Sequence, residues 1–555
     1  MRLYRDPVHG DILLSPLACA VLNTPEFQRL GRVMQLGFAH LVFRGATHTR
    51  LAHSIGAYWV SREMLRHIHV NHERLHLPVP AVLRGGDSPD RDGLSLEALT
   101  EVVSIAALLH DITHIPFGHT LEDELQDVYL KHDALDSPRL WWLLFDRRSG
   151  LARIFQSEKP YVPGLDNRTL RWLVYLVLAF REDDEGAASR RFPALLAEAR
   201  DRVGSRRGDT DDGDRSFGDF LDEAARQYEC LSRRGLMHPF MADIVSGTVS
   251  ADLLDYLARD LYYTGLEGGY DRRLLHYFFI GRDEHGSDRL AIDVLNPRGY
   301  ARIDLTTEVM NLMRLRYSMA ERVYYHKTKV AASAMLARGL LGHNLPADSN
   351  PYDDPESVLC PEMSDEEMIR RLAHAARNGR GDASEVLSAV EARDLGRAIY
   401  HRRLYTPVVV LTEAAVRDAG GAETVADLLR GRDGGRQRLA AIEERLAAMT
   451  GLGRHGALVY CPPIKMQAKA ISTPVRFELN RIVPLARHPE FRDEAELLNR
   501  KYRALWKTFV FASPAILAAP GLARRIAEEF CVALGLPAPK AADILVPANG
   551  HAADR

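Results

Sequence analysis

The chain has 555 residues, with 72 Lys and Arg against 75 Asp and Glu, a formal net charge of -3. That balance excludes a bulk polycation, so any nucleic-acid or phosphate site must be a local patch. The five cysteines (Cys19, Cys230, Cys360, Cys461, Cys531) are scattered and form no CxxC pair, which argues against a disulfide framework and a zinc finger.

In chain order, the N-terminal MRLYRDPVHGDILL lacks the apolar run of a secretory signal. The most apolar stretch, Leu173 to Phe180, is too short to span a bilayer. A cytoplasmic protein with no membrane partner is expected. Glu101–Ile112 (EVVSIAALLHDI), Glu391–Tyr405 and Arg436–Met449 set apolar residues at three- and four-residue intervals among Arg, Glu and Ala, the period of helices. Strand-like pieces are few and late, at 406–411, 457–461 and 475–479. A mainly α fold is therefore expected, not a doubly wound sheet. Residues 1–341 read as one core carrying insertions near 84–93 and 181–216, where Asp, Arg and Gly accumulate. Residues 342–364 read as a linker or insertion, 365–536 as a smaller α+β lobe, and the Pro/Ala-rich 537–555 as a fraying tail. There is no internal repeat.

The chemistry lies in the front. LLHDITH sets His110 beside Asp111 and four residues before His114. On a helix, such residues face one cavity. RLAHSIGA supplies His53, and SADLLDYLARD supplies Asp252, Asp255 and Asp260. Two His with two Asp form a nitrogen/oxygen set that suits Mn, Fe or Zn better than Ca, and it has no thiolate of a structural zinc site. A blander reading stands beside this one. The chain holds 22 His, an isolated HD dipeptide is weak evidence, His53 fits a core histidine bonded to a carbonyl, and Asp255 can face the same way as Asp252.

The set His53, His110–Asp111 and Asp252 is similar to the H…HD…D pattern of the HD-domain metal-dependent phosphohydrolases. RDPVHGDILL, NTPEFQRLGRVMQLG, FRGATHTRLAHSIGA, LLHDITHIPFGHTLEDE, DLLDYLARD and ERVYYHKTK follow one another as in the deoxynucleoside triphosphate triphosphohydrolases, a resemblance running from about Arg5 to Lys329. It implies an HD-domain helical core, with His53, His110, Asp111 and Asp252 holding one divalent transition metal, and Mg arriving in addition with the triphosphate. It implies a catalytic group of His114, Glu122 and His132. Gln35 matches a residue near the base and sugar, and Arg50 and Arg322 match phosphate contacts. His326, one turn after Arg322 on an expected helix, would face the same cleft. Tyr256 and Asp260 match residues that check the sugar. The role of His119 stays open between a nucleotide contact and support for other groups. The implied substrate is a deoxynucleotide, hydrolysed at the α-phosphorus to deoxynucleoside and triphosphate, and a homo-oligomer is expected.

Two departures matter. Some relatives carry a Lys directly after the metal-ligating Asp, where this chain has Leu253, leaving Lys327 as a substitute. Asn23 and Gly31 replace an acid and an arginine of the vertebrate activator site. The Leu253 departure motivates a second reading, another phosphohydrolase or phosphodiesterase on the same metal site. The balanced charge and long insertions permit, without arguing for, a third, a nucleotide- or nucleic-acid-binding subunit whose activity is triggered by a partner protein or a phage signal.

Overall fold

A computed structural model describes residues 2–74, 93–124, 131–180, 188–206, 212–296, 298–300, 302–341, 356, 359–374, 393–417, 420–430, 435–451, 456–462, 472–478, 481–488, 491–513, 516, 519 and 521–537. The turn-rich 84–92, parts of the 181–216 insertion, nearly all of 342–358 and the tail from 538 lie outside the described residues. The fold is mainly α, with small sheets.

The chain begins with an antiparallel hairpin, β1 (Arg2–Asp6) and β2 (Gly10–Leu14). This corrects the expectation that strands come only late. Leu3 and Leu13, opposite one another, point outward while Ile12 and Leu14 are fully buried. Apolar residues on both faces erase the alternation that marks a strand.

Three helices build the centre. α1 (Arg50–Arg74) packs against α2 (Leu96–Leu109), and α4 (Asn167–Ala179) covers the other side of α2. α2 starts where Ser95 accepts from the Ala98 N–H, and α4 where Asp166 accepts from the Thr169 N–H, each satisfying a free helix-end donor. Eleven residues of α2 are buried, so it is a core helix on all sides. Leu99, Val102, Ile105 and Leu108 are inaccessible, and each stabilises by about 1.5–3 kcal/mol relative to exposure.

After α2 the chain turns through Pro116 and Gly118 into the short α3 (His119–Glu124). α5 (Ala188–Arg206) and α6 (Asp212–Arg233) form a pair, and α7 (Pro239–Ser246) leads into α8 (Ala251–Thr264). α8 begins where Ser250 accepts from the Leu253 N–H and ends at Gly265 with φ +69°, the left-handed cap that glycine adopts without strain. α9 (Ile303–Met319) runs through a π-helical turn, Ala320–Tyr324, to α10 (Lys327–Leu341). α11 (Asp365–Ala373) comes next.

Two further sheets form. β3 (Phe278–Arg282) and β4 (Asp288–Ile292) from the front pair with β8 (Arg481–Pro484) and β7 (Pro474–Glu478) from the rear in a closed four-stranded barrel. β5 (Thr406–Thr412), β9 (Lys507–Ala512) and β6 (Ala457–Tyr460) form an antiparallel sheet. Its Val409, Val459 and Val510 share a separate apolar cluster with Leu446 and Phe530 of the helices packed on it. No described helix is long and apolar enough to cross a membrane.

Candidate active site

α1, the turn after α2 and the start of α8 meet at one point. His53 Nε2 on α1 lies 3.1 Å from His110 Nε2 and 3.1 Å from Asp252 Oδ1 on α8. His110 Nε2 lies 3.5 Å from both Asp111 Oδ1 and Asp252 Oδ1, and His53 Nε2 is 3.8 Å from Asp111 Oδ2. The other ring nitrogens are engaged. His53 Nδ1 sits 2.8 Å from Asp255 Oδ2, and His110 Nδ1 is 2.7 Å from the Ala107 carbonyl oxygen. Both acceptors call for Nδ1–H donors, which leaves the two Nε2 lone pairs aimed at the same spot. Lone pairs 3.1 Å apart, flanked by two carboxylates, repel one another unless a cation or a proton sits between them. His53, His110 and Asp111 can hold a metal ion, and Asp252 reaches the same point, so the donor set fits a divalent transition metal.

The electrostatics agree. Burial works against charge on His53, but bonds to Asp252 and Asp255 outweigh it and raise its pKa to about 10. A cation at that point sits in the same carboxylate field. Burial would raise the Asp111 carboxyl, yet Arg50, His110 and His114 hold it well below its ordinary range. Arg50 Nη1 donates to Asp111 Oδ2 at 2.5 Å.

The metal-side histidine has a fully buried brace. Asp255, which accepts from His53, also lies 2.6 Å from His9 Nε2 in the β1–β2 turn and accepts from Arg259 through Nε and Nη2, while Arg259 Nη1 donates to Asp6. The bland alternative for Asp255, a second ligand face, does not hold: its oxygens point away from the metal point into this network. Gly56, one turn after His53, makes the approach possible, because a Cβ there would lie 1.8 Å from Asp255 Oδ1. Asp255→Asn is expected to lower metal affinity roughly 10- to 100-fold, read by chelator competition on protein whose circular dichroism is unchanged. Unaltered affinity would show that Asp255 does not orient the ligand.

Beside this point stands a His–carboxylate group. The helix expected to carry both His110 and His114 stops at Leu109, and 110–118 is a series of turns. Pro116 disfavours helix at the residue before it. The turns still deliver His114: its Nδ1 lies 3.1 Å from Glu122 Oε1, and His132 Nδ1 lies 2.9 Å from Glu122 Oε2. The His114 and His132 rings stack at 3.6 Å. Burial, then Arg50 and His132, push His114 down to about 4, so it is neutral near pH 7. His114 Nε2 comes within 3.2 Å of Asp111 Oδ1 but is not aligned for a hydrogen bond, and it is a buried nitrogen without a partner. Gly118 has φ +37°, and a Cβ on it would lie 2.6 Å from Arg50 Nη2 and 2.9 Å from His114 Nδ1, so only glycine lets this turn close.

A cavity of about 540 Å³ opens over the group. Of the residues singled out in the sequence, Gln35, Arg50, His110, Asp111, His119, His132, Asp252, Tyr256 and Asp260 line it. His53, His114 and Glu122 are buried behind its wall. Asp252, Tyr256 and Asp260 share one face of α8, as their four-residue spacing predicts. Asp260 is held from two sides, by His48 Nε2 at 2.8 Å and the Tyr324 hydroxyl at 2.7 Å.

Arg322 and His326 do not line the cavity: Arg322 is exposed, and His326 packs edge-on against Phe43. The expected single helix is broken by the π turn at Ala320–Tyr324, whose extra residue rotates the side chains beyond it. Arg316, Tyr324 and Lys329 take the wall instead, and Lys327, the substitute considered for the missing lysine, is exposed. Their signal in the sequence was a basic residue eight before Tyr324 and another five after it.

A deoxynucleoside triphosphate triphosphohydrolase, SAMHD1 of Gallus gallus, is 24% identical over 420 residues, covering 71% of this chain and 55% of the relative. The putative HD domain-containing protein L394 of Acanthamoeba polyphaga mimivirus is 38% identical over 125 residues, 22% of this chain and 26% of its own. These matches make the chain similar to HD-domain dNTPase-like proteins. It is also 25% identical over 340 residues to the uncharacterized protein YwfO of Bacillus subtilis (strain 168), covering 61% of this chain and 54% of YwfO. The alignments span about half or less of each of these relatives. No protein-family model matches the chain.

Proposed function

We propose that the chain hydrolyses deoxynucleoside triphosphates at the α-phosphorus, releasing deoxynucleoside and triphosphate. The observation that carries this reading is the shared face of α8. Asp252 stands at the metal point, Tyr256 about 6 Å further along and Asp260 about 12 Å, at 1.5 Å rise per residue. A nucleotide extends over a similar distance from its α-phosphate, which sets its ribose against Tyr256.

His53, His110, Asp111 and Asp252 would hold the metal, which when bound polarises a phosphoryl oxygen and lowers the pKa of water. Arg50, and with it Arg316 and Lys329 from the far wall, supply positive charge for phosphate oxygens. Among the described residues the Arg316 side chain makes no hydrogen bond or ion pair, and although burial opposes its charge, its neighbours Tyr256, Tyr502, Tyr324 and Asp252 raise its pKa. His132 faces the cavity with Nδ1 bound to Glu122, so its Nε2 is the nitrogen free to exchange a proton with water or leaving oxygen. Asp260, fixed by His48 and Tyr324, accepts from a sugar hydroxyl.

The test is product analysis after metal loading. Tripolyphosphate with deoxynucleoside supports the reading. Orthophosphate or a nucleoside monophosphate would assign the site to another phosphohydrolase, the reading that Leu253 favours. A narrower expectation concerns the sugar. A tight aromatic contact at Tyr256 leaves a 2′-hydroxyl unpaired, which costs on the order of 1–3 kcal/mol, or roughly 5- to 150-fold. Tyr256→Ala should collapse the deoxy/ribo ratio of kcat/KM by that order, and an unchanged ratio would remove Tyr256 from the sugar subsite.

A further inference from the structure

The two walls of the cavity that carry Gln35 and His119 are distant in sequence, and one carboxylate joins them. Asp365, at the start of α11, accepts from the Phe117 N–H through Oδ1 and from the Met34 N–H through Oδ2, both at 2.8 Å. The bonds reach across 248 and 331 residues. Phe117 is one of two described non-glycine residues with positive φ, at +60°, a conformation that costs free energy unless its surroundings impose it. The Phe117 ring stacks on Phe38 at 4.4 Å. The loop that begins at Met34 presents Gln35 to the cavity, while the turn at Phe117 places His114, Gly118 and His119.

Burial pushes the Asp365 carboxyl up to about 6, against the pull of the two amides, Arg50 and Arg29. A folded value above the ordinary 3.8 means that ionised Asp365 costs stability, increasingly as pH rises between those values and fully above them. A buried carboxylate kept at such a cost, bonded among the described residues only to two loop amides, is better explained by what it holds in place than by stability.

We propose that Asp365 is a positioning residue that locks the Gln35 loop to the Phe117–Gly118 turn, so that substrate-base contact and catalytic geometry are set together by a residue outside both. The part concerning nucleotides rests on the proposed function, whereas the mechanical coupling does not.

Asp365→Asn replaces one acceptor by an amide that meets an N–H head-on. Hydrogen exchange is expected to rise together in segments 33–37 and 115–119 with metal content unchanged. Turnover is expected to fall roughly 10- to 100-fold, the range for a displacement of about an ångström. The ranking of kcat/KM among the four common deoxynucleoside triphosphates should shift, which a purely structural residue would not cause. Ser364→Ala, which removes the acceptor for the Glu367 N–H and leaves the carboxylate intact, provides a milder version if the first variant does not fold. Its exchange should rise in the same two segments. Unchanged exchange in folded Asp365→Asn, or in Ser364→Ala where the first variant does not fold, overturns the coupling. Raised exchange with unchanged turnover and base ranking overturns the positioning role. If the parent hydrolyses no deoxynucleotide, the proposed function falls and the exchange data alone decide the coupling.

Discussion

Asp111→Ala protein is expected to lose its metal and at least about 10³-fold in turnover. A metal acting on a phosphoryl oxygen supplies several kcal/mol of transition-state stabilisation, and each 1.36 kcal/mol is tenfold in rate. Asp111 is both a negative charge and a geometric anchor at the metal point, 3.5 Å from His110 Nε2 and 3.8 Å from His53 Nε2. It also neutralises Arg50, so its removal leaves a buried guanidinium unpaired, at a cost on the order of 3–5 kcal/mol in stability. Asp111→Asn, which keeps the shape and a hydrogen-bond acceptor, separates the two effects. Metal analysis and circular dichroism on both variants provide the check. Full metal occupancy in a folded Asp111→Ala protein would overturn the ligand set.

The second large effect is expected at His132. Its ring faces the cavity, is oriented by Glu122, and stacks on His114. His132→Ala should retain metal and fold while losing roughly 10²–10⁴-fold in kcat, the usual contribution of a positioned proton-transfer group. His114→Ala should do less at the chemical step, because His114 has no surface on the cavity and acts through Asp111, Glu122 and the stacked ring. A rate in His132→Ala within about threefold of the parent, or a larger loss in His114→Ala, would reverse the two roles.

The sequence and the structure part company at specific places. The Asp252–Tyr256–Asp260 face was legible because α8 is one regular helix with a serine cap and a glycine stop, so spacing translated directly into direction. The convergence of His53 and His110 was legible only as an ordered pattern. Its physical basis, the Nδ1 bonds to Asp255 and Ala107, depends on tertiary packing that no local spacing encodes. Arg322 came from the resemblance, and its pairing with His326 assumed an unbroken helix, whereas a π turn adds a residue without a compositional mark. Arg316, upstream of that turn, was missed because no motif marks it. The β1–β2 hairpin was missed because both faces carry leucines. Asp365 was invisible because its partners are backbone amides hundreds of residues away, which leave no trace in side-chain chemistry.

The ligand set also has a temporal meaning. His53 and Asp252 are separated by 199 residues, and the brace behind them runs from Asp255 to His9 across 246. Contacts of such long range form late, since loop closure must precede any gain from them. The metal point is thus assembled only after α1, the turn beyond α2, α8 and the N-terminal hairpin have all docked. A chain stalled at an earlier stage offers scattered imidazoles and carboxylates of ordinary affinity. Tight metal uptake would therefore require completed folding, and the fraction of a preparation able to take up metal would not exceed its fully assembled molecules.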